Sequence, residues 1–179
     1  MRINQTKLFS RRSFNRTCLS FTVFTMAIAF NGCGTQQADN YEATATAKMT
    51  WVVEYSNDPL EDKRPRIEEF ESVTLVNRNG EKPDGAVFQD DKGIWWPKEP
   101  PKPSLDEIEA KQKRSSDVIG KPRRLREVKY RVKFYKDGER LNVTTNHAVY
   151  RQVTKAYPDT PLTFTMGVNN GSVTKATPQ

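Results

Sequence analysis

Few residues of this sequence have the chemistry for nucleophilic or acid–base catalysis. His147 is the only histidine, and the two cysteines are Cys18 and Cys33. A Ser-His-Asp or Cys-His arrangement would have to use His147, and no nucleophile-elbow sequence occurs in the chain. Its position after Thr145-Asn146 is more typical of a strand end. The sequence therefore favours a protein without catalytic residues, and an enzyme that uses His147 is the alternative.

Oxygen-bearing side chains cluster on one loop, where calcium is the metal to consider. Asn77, Asn79, Glu81 and Asp84 lie close together in the sequence. An EF-hand loop needs glycine at its sixth position and a bidentate glutamate at its twelfth. Here the glycine is fourth and Phe88 is twelfth, so a hairpin turn explains these residues better. No metal ligands are predicted.

The first 32 residues have the composition of an export signal. A basic start, with five Lys or Arg and no acidic residue, precedes an apolar run at residues 18–30. This run is shorter than the roughly 18 residues needed to cross a bilayer, but it suits the apolar region of a signal peptide. Residues 1–32 are therefore predicted to be an export signal peptide.

The basic start contains a paired-arginine motif, Ser10-Arg11-Arg12-Ser13-Phe14-Asn15-Arg16. It resembles the twin-arginine export motif at Arg11, Arg12 and Phe14. It has Asn15 where an apolar residue is usual, and Arg16 in place of lysine. The resemblance implies that the domain folds before it crosses the membrane. General secretion is the alternative, because paired arginines also occur in ordinary signals.

Two cleavage sites lie at the end of the apolar run. Phe30-Asn31-Gly32-Cys33 resembles the lipobox of bacterial lipoprotein precursors, with Phe30 in place of the usual leucine. This resemblance covers residues 1–33 only. It implies that the Cys33 thiol receives a diacylglycerol, that a fatty acyl group such as palmitate is added, and that the protein is anchored on the extracytoplasmic side of the cell membrane. Ala27-Ile28-Ala29 is similar to an ordinary signal-peptidase site, whose use would release a soluble secreted protein.

Cysteine use favours lipidation. Once the leader is removed, Cys33 is the only cysteine of the chain. An unpaired exported cysteine is a liability in an oxidising compartment unless it has a role, and acylation supplies one. We therefore expect attachment to the membrane through the lipid on Cys33, no other cofactor, and no disulfide within the folded domain.

The charge balance and the exported location both argue against nucleic acid as a partner. The chain has 29 Lys and Arg against 22 Asp and Glu, but five of the basic residues and none of the acidic ones precede Cys33. The remaining 24 basic and 22 acidic residues leave the mature chain nearly neutral.

The length of the mature chain suits about one domain. The small polar residues at 33–48 are predicted to be a flexible tether, and residues 49–179 a β-rich domain.

Apolar residues after the predicted tether mostly alternate with polar ones, which is typical of strands. The clearest pattern is a hairpin at 128–145, in which the turn Asp137-Gly138 places Phe134 opposite Leu141. Further strands are predicted at residues 51–55, 67–76, 86–88, 94–96, 149–154 and 162–168. Ser104 and Glu107 can form the capping box of one short surface helix. The predicted fold is mainly β: a single antiparallel β-sandwich or partly open barrel with one short surface helix.

Two groups of residues are candidates for binding. Trp95 and Trp96 precede a proline-rich run that favours polyproline II and can present a ligand surface, or one tryptophan fills the core. Lys129, Arg131 and Lys133 share the solvent face of the predicted hairpin. There they can meet an acidic protein or an anionic lipid surface, or form a solvated face neutralised by acidic residues of the same domain. The predicted function is that of a membrane-tethered, non-enzymatic binding or assembly factor.

Overall fold

A computed structural model describes residues 34–57, 65–136 and 138–179 of the chain. The predicted signal peptide at 1–32, the export motif with Arg11, Arg12 and Phe14, and the predicted lipidation site Cys33 lie outside the described residues. Within the described part the chain is mainly β, as predicted, and its strands pair in antiparallel fashion.

Ten strands and two α-helices follow one another along the described chain. The helices are α1 (Leu105–Ala110) and α2 (His147–Ala156), and a short 3-10 helix lies at Val168–Asn170. The strands are β1 (Thr35–Ala38), β2 (Tyr41–Ser56), β3 (Arg66–Arg78), β4 (Ala86–Gln89), β5 (Trp95–Pro97), β6 (Val118–Ile119), β7 (Arg123–Lys136), β8 (Glu139–Thr145), β9 (Leu162–Met166) and β10 (Val173–Pro178).

A large sheet and a small sheet enclose most of the core. The large sheet has the strand order β3-β2-β7-β8, with β6 beside the end of β2, and the small sheet has the order β1-β9-β10. β4 and β5 pair separately as a hairpin. Apolar side chains from both sheets and from α2 meet in one cluster, where the rings of Phe134 and Phe164 lie 5.0 Å apart. This arrangement is that of a β-sandwich with a helix added to one layer.

The prediction of a tether at 33–48 is wrong, because most of this segment is in the two sheets. β1 pairs with β9, and β2 begins at Tyr41 between β3 and β7. Ala43, Ala45 and Ala47 are fully buried on the core face of β2. Alanine contributes little apolar surface, so the composition is like that of a linker. In the fold these small side chains let α2 approach β2 closely, and larger neighbours in the same core supply the apolar surface.

The β7–β8 hairpin has the predicted register. Phe134 lies opposite Leu141, and Val132 lies opposite Val143. Gly138 in the turn has a φ of +83°, a conformation that favours glycine because a Cβ atom would clash. A slip of one residue would turn the cations of β7 into the core, so the pairing is strongly specified.

The helix α1 has the predicted capping box. The Ser104 hydroxyl accepts the Glu107 N–H at 3.3 Å, and the Glu107 carboxylate accepts the Ser104 N–H at 2.7 Å. Ile108 is the buried residue of this short helix and packs near Tyr55 at the far end of the large sheet. The cap therefore sets where the chain crosses that end of the sheet.

The predicted strand at 149–154 is wrong, because these residues form part of α2. Asn146 caps this helix by accepting the Val149 N–H at 2.9 Å. The buried residues follow one helical face: Val149, Tyr150, Val153 and Ala156. A short apolar run fits the period of a strand and of a helix alike. The pattern of apolar residues at 149–154 therefore could not distinguish a helix from a strand.

Tyr150 in α2 has a buried hydroxyl group without a hydrogen-bond partner among the described residues. The group lies near the backbone of Gly80, and burial raises the pKa of Tyr150 to about 12, so it stays protonated at neutral pH. An unpaired buried hydroxyl costs about 1–3 kcal/mol. We therefore expect Tyr150→Phe to raise the free energy of unfolding by about 1 kcal/mol, measured by urea denaturation.

Tyr55 provides the matched control for this substitution. Its hydroxyl is also buried but donates to the Ile108 carbonyl oxygen at 2.7 Å. Tyr55→Phe should lower the free energy of unfolding by about 1 kcal/mol, because it removes a buried hydrogen bond and leaves the Ile108 carbonyl with only the Lys111 N–H, at 3.2 Å, as a donor in the described part of the chain. Equal destabilisation by the two substitutions would show that the Tyr150 hydroxyl is satisfied in solution.

Candidate functional site

The three predicted cations share one exposed face of the large sheet. Lys129, Arg131 and Lys133 lie on the solvent side of β7, and the residues between them point toward the core. In β8, Thr144 lies opposite Arg131 and Asn142 lies opposite Lys133, as the predicted register requires. These three cationic residues are called the cationic strip below.

Two residues of the cationic strip are neutralised by acidic neighbours. Lys133 Nζ lies 2.9 Å from Glu42 Oε1, and Lys129 Nζ lies 3.6 Å from Glu127 Oε1. Such exposed or half-exposed pairs contribute only about 0–1 kcal/mol to stability, but they lower the charge that a partner meets. Glu42 belongs to the segment predicted to be a tether, so its place beside Lys133 follows only from the pairing of β2 with β7.

Arg131 keeps its charge available to a partner. Its Nε and Nη2 atoms donate to the side-chain and backbone oxygens of Asn142, both at 2.9 Å. It has no carboxylate partner within the part of the chain that the structure describes. The guanidinium is thus held in position by a neutral neighbour, on the exposed surface between the two paired lysines.

A cleft of about 230 Å³ opens at the end of the cationic strip, where β2 begins and the β7–β8 hairpin turns. Lys133 belongs to both the cationic strip and the cleft. No other residue of this cleft was predicted to bind a partner, because its members come from the start of β2, the turn after β3, the hairpin and the end of α2. Its lining also includes Tyr41, Glu42, Tyr135, Arg140 and Tyr157.

Tyrosine rings form the walls and the floor of the cleft. Tyr135 is 50% exposed and Tyr157 is 40% exposed. Tyr41 is buried, and its hydroxyl donates to the Thr160 carbonyl oxygen at 2.6 Å. Burial raises the pKa of Tyr41, and the negative charge of Asp159 adds to the shift. Tyr41 therefore remains neutral and fixes the floor, while the other two rings are open to a partner.

Arg140 supplies the unpaired positive charge of the cleft. It lies opposite Tyr135 in the hairpin and is exposed. None of the described acidic residues pairs with it. A guanidinium can hold a carboxylate through two parallel hydrogen bonds, and exposed tyrosine rings add rigid contact area. The cleft can therefore bind a carboxylate that is carried next to apolar or aromatic surface.

The two tryptophans do not join this site. Trp96 is 3% exposed, and its Nε1 donates to Asp90 Oδ2 at 2.8 Å. Of the two alternatives predicted for the tryptophans, Trp96 follows the second: its side chain fills the core and offers no binding surface. Trp95 is half-buried, with Lys82 Nζ 5.3 Å from its ring centroid. Both belong to β5 on the core side of the large sheet, whereas the cationic strip lies on the solvent side.

The proline-rich run that follows β5 packs against the large sheet. Pro97 and Pro100 are buried, and Trp51 Nε1 donates to the Pro100 carbonyl oxygen at 2.9 Å. Glu99 forms an ion pair of 3.0 Å with Arg124 of β7. These contacts are internal to the fold, so the run carries the chain across the sheet to α1 and leaves its buried prolines inaccessible to a ligand.

His147 is the first residue of α2 and not a strand-end residue as predicted. Its Nε2 lies 3.0 Å from the Lys92 carbonyl oxygen, and its ring lies 5.6 Å from that of Tyr130. These contacts hold the start of α2 beside the turn between β4 and β5.

The asparagines of the loop considered for calcium bind backbone groups. Asn77 is fully buried and accepts the Trp95 N–H at 2.8 Å, while its Nδ2 donates to the Ala45 and Trp95 carbonyls at 3.2 and 3.0 Å. Asn79 Oδ1 accepts the Ala43 N–H at 2.8 Å. Across residues 34–57, 65–136 and 138–179, no group of three His, Cys, Asp or Glu residues has the geometry to hold a metal ion.

Comparisons with known proteins found nothing similar to this chain. No protein-family model, no curated protein and no solved structure matches it. In the described ranges, no helix has the length and apolar character to cross a membrane. The cleft, the cationic strip and the predicted leader are the features that bear on function.

Proposed function

We propose that the chain is an exported protein, anchored through a lipid on Cys33 at the extracytoplasmic side of the cell membrane, where it acts as a non-enzymatic binding or assembly factor. The leader, with its resemblance to a twin-arginine signal and a lipobox, supports this location. The cleft and the cationic strip support the binding role. The proposed partner is an acidic protein segment that places a carboxylate in the cleft.

The observation that carries the binding role is the unpaired guanidinium of Arg140 in a cleft that is also lined by two exposed tyrosine rings, those of Tyr135 and Tyr157. The cleft volume of about 230 Å³ lies below the roughly 300–1,000 Å³ of pockets that enclose a whole small molecule. It suits one or two side chains of a larger partner. Arginine and tyrosine are also the residues that most often dominate protein-binding surfaces. Arg131 extends the same positive surface along β7.

The cleft lies at the opposite end of the small sheet from Gly34, the residue that follows the proposed anchor in the sequence. The Gly34 carbonyl, next to the anchor, accepts the Met166 N–H at the end of β9. At the other end Ala38 pairs with Leu162, and Tyr41 of the cleft follows shortly after. This separation directs the cleft away from the anchoring bilayer, and its concave shape suits a protruding side chain better than a flat layer of headgroups.

Binding of a fluorescein-labelled hexaglutamate peptide to the lipidated protein in detergent tests the proposal. Arg140→Glu should weaken binding by about tenfold, equivalent to about 1.4 kcal/mol, when measured by fluorescence anisotropy at low salt. Lys102→Glu is the matched control, because it makes the same charge change on an exposed residue of the proline-rich run. It should change binding little, and added salt should weaken binding of the unaltered protein.

The outcomes distinguish binding of an acidic segment in the cleft from two alternatives, a general effect of net charge and binding to anionic lipid. Equal losses for Arg140→Glu and Lys102→Glu would show that only net charge matters, and would reject the cleft as the site. Vesicles of phosphatidylglycerol and phosphatidylcholine, mixed with the protein lacking its acyl chains, form the second arm. Retention on these vesicles that depends on Arg140, without peptide binding, would assign the surface to anionic lipid.

A further inference from the structure

We propose that the loop at 167–172, with the adjoining end of the small sheet, rests on the surface of the anchoring bilayer and holds the domain in one orientation. The occupant of this surface is the headgroup region of that membrane. The inference rests on the proposed acylation of Cys33, and it adds a second, non-covalent contact to the lipid anchor.

The folded domain begins directly after the proposed anchor. Gly34 follows Cys33 in the sequence, and the Gly34 carbonyl oxygen already accepts the Met166 N–H at 2.8 Å. Thr35 then pairs with Thr165. One residue spans at most about 3.6 Å, whereas a flexible coil of about 15 residues reaches on the order of 20 Å. An acylated Cys33 therefore keeps this end of the small sheet at the bilayer surface.

The loop beside Gly34 has an exposed apolar tip. The Gly167 N–H donates to the Ser172 carbonyl oxygen at 2.8 Å and closes the loop. Val168 at the tip is 81% exposed, the largest exposed fraction among the large apolar side chains that the structure describes. A valine in this place gains free energy by leaving water for the boundary between headgroups and acyl chains.

The small sheet is nearly free of charge, although 28% of the chain is charged. β1, β9, β10 and the loop at 167–172 contain Lys175 as their one charged residue and no Asp or Glu. Lys175 is exposed and pairs with Thr165 in the register of the sheet, close to the anchored end. An anionic bilayer attracts such a lysine and repels carboxylates. This part of the domain can thus approach headgroups without repulsion.

The test places an environment-sensitive fluorophore on a Val168→Cys variant of the lipidated protein, reconstituted into vesicles of phosphatidylethanolamine and phosphatidylglycerol. Acylation blocks the Cys33 thiol, so the label reaches only the introduced cysteine. Nitroxide-labelled lipids should quench most of the fluorescence at this position. Asp159→Cys is the matched control, because Asp159 is exposed and precedes β9 at the opposite end of the small sheet. Its label should keep most of its fluorescence.

Each outcome bears on the contact. Stronger quenching at position 168 than at position 159 supports it. Equal quenching at both positions, or none at either, would overturn the contact and leave the lipid anchor standing. Labelling of Cys33 in the unaltered protein, detected by mass spectrometry of its peptides, would overturn the acylation and the contact together.

Discussion

Replacing Cys33 by serine is expected to move the protein from the membrane fraction to the soluble fraction. Serine has no thiol to acylate, and each buried CH₂ of an acyl chain contributes about 0.8 kcal/mol, so two or three chains dominate attachment. A cation near the surface adds only about 1 kcal/mol, and Lys129 and Lys133 already have acidic partners. Fractionation with immunoblotting, together with the intact mass of the mature protein, measures this result.

The matched control is Cys18→Ser, because Cys18 lies in the predicted leader. This change should leave membrane attachment and mature mass unaltered. A soluble mature chain that begins at Phe30 and carries no acyl mass would support cleavage after Ala29. That result would contradict the anchor at Cys33.

Replacing Asn77 by alanine is expected to lower the free energy of unfolding by about 3 kcal/mol. The buried amide joins three strands, because it bonds the Ala45 carbonyl of β2 and both backbone groups of Trp95 in β5. Truncation leaves these groups without partners at about 1–3 kcal/mol for each one that stays dry, and it adds a small cavity. Urea denaturation followed by tryptophan fluorescence measures the loss.

Asn142→Ala serves as the control for Asn77→Ala. Asn142 is exposed in β8 and its side chain bonds Arg131 at the surface, so its loss should cost less than about 1 kcal/mol. Similar losses at the two positions would contradict the view that burial makes Asn77 critical. If Asn77→Ala lowers the urea midpoint of unfolding while β2 and β3 remain paired, the destabilisation arises from the lost contacts to β5.

The β7–β8 hairpin is predictable from the sequence because its determinants are local. Asp137-Gly138 specifies the turn, and the alternating residues on either side set which faces meet, as the pairing of Phe134 with Leu141 confirms. The capping box of Ser104 and Glu107 is local in the same sense. In each case the interacting residues are close in the sequence, so no knowledge of the rest of the fold is needed.

Tertiary packing decides the elements that were mispredicted. The alanines of β2 are buried by larger side chains that come from distant parts of the chain, so composition alone made 33–48 resemble a linker. α2 has a run that also fits a strand, and its identity depends on the Asn146 cap and on burial against both sheets. Propensity is a weak guide where context supplies the apolar surface.

The cleft has no local signature in the sequence. Tyr41, Arg140 and Tyr157 meet because β2 pairs with β7 and because α2 ends beside the first residues of β2. Lys133 alone links the cleft to the predicted cations. Charge patterning could identify the cationic strip, but the aromatic walls beside it depend on pairings between distant segments.

The pairing of β1 with β9 sets an order of events during protein synthesis. Thr35 gains its partner Thr165 only after the ribosome has made most of this sequence, and β10 emerges later still. Contacts between such distant segments form late, because the intervening chain must first be brought together. The first strand, and the predicted leader that precedes it, therefore emerge from the ribosome well before the sandwich can close.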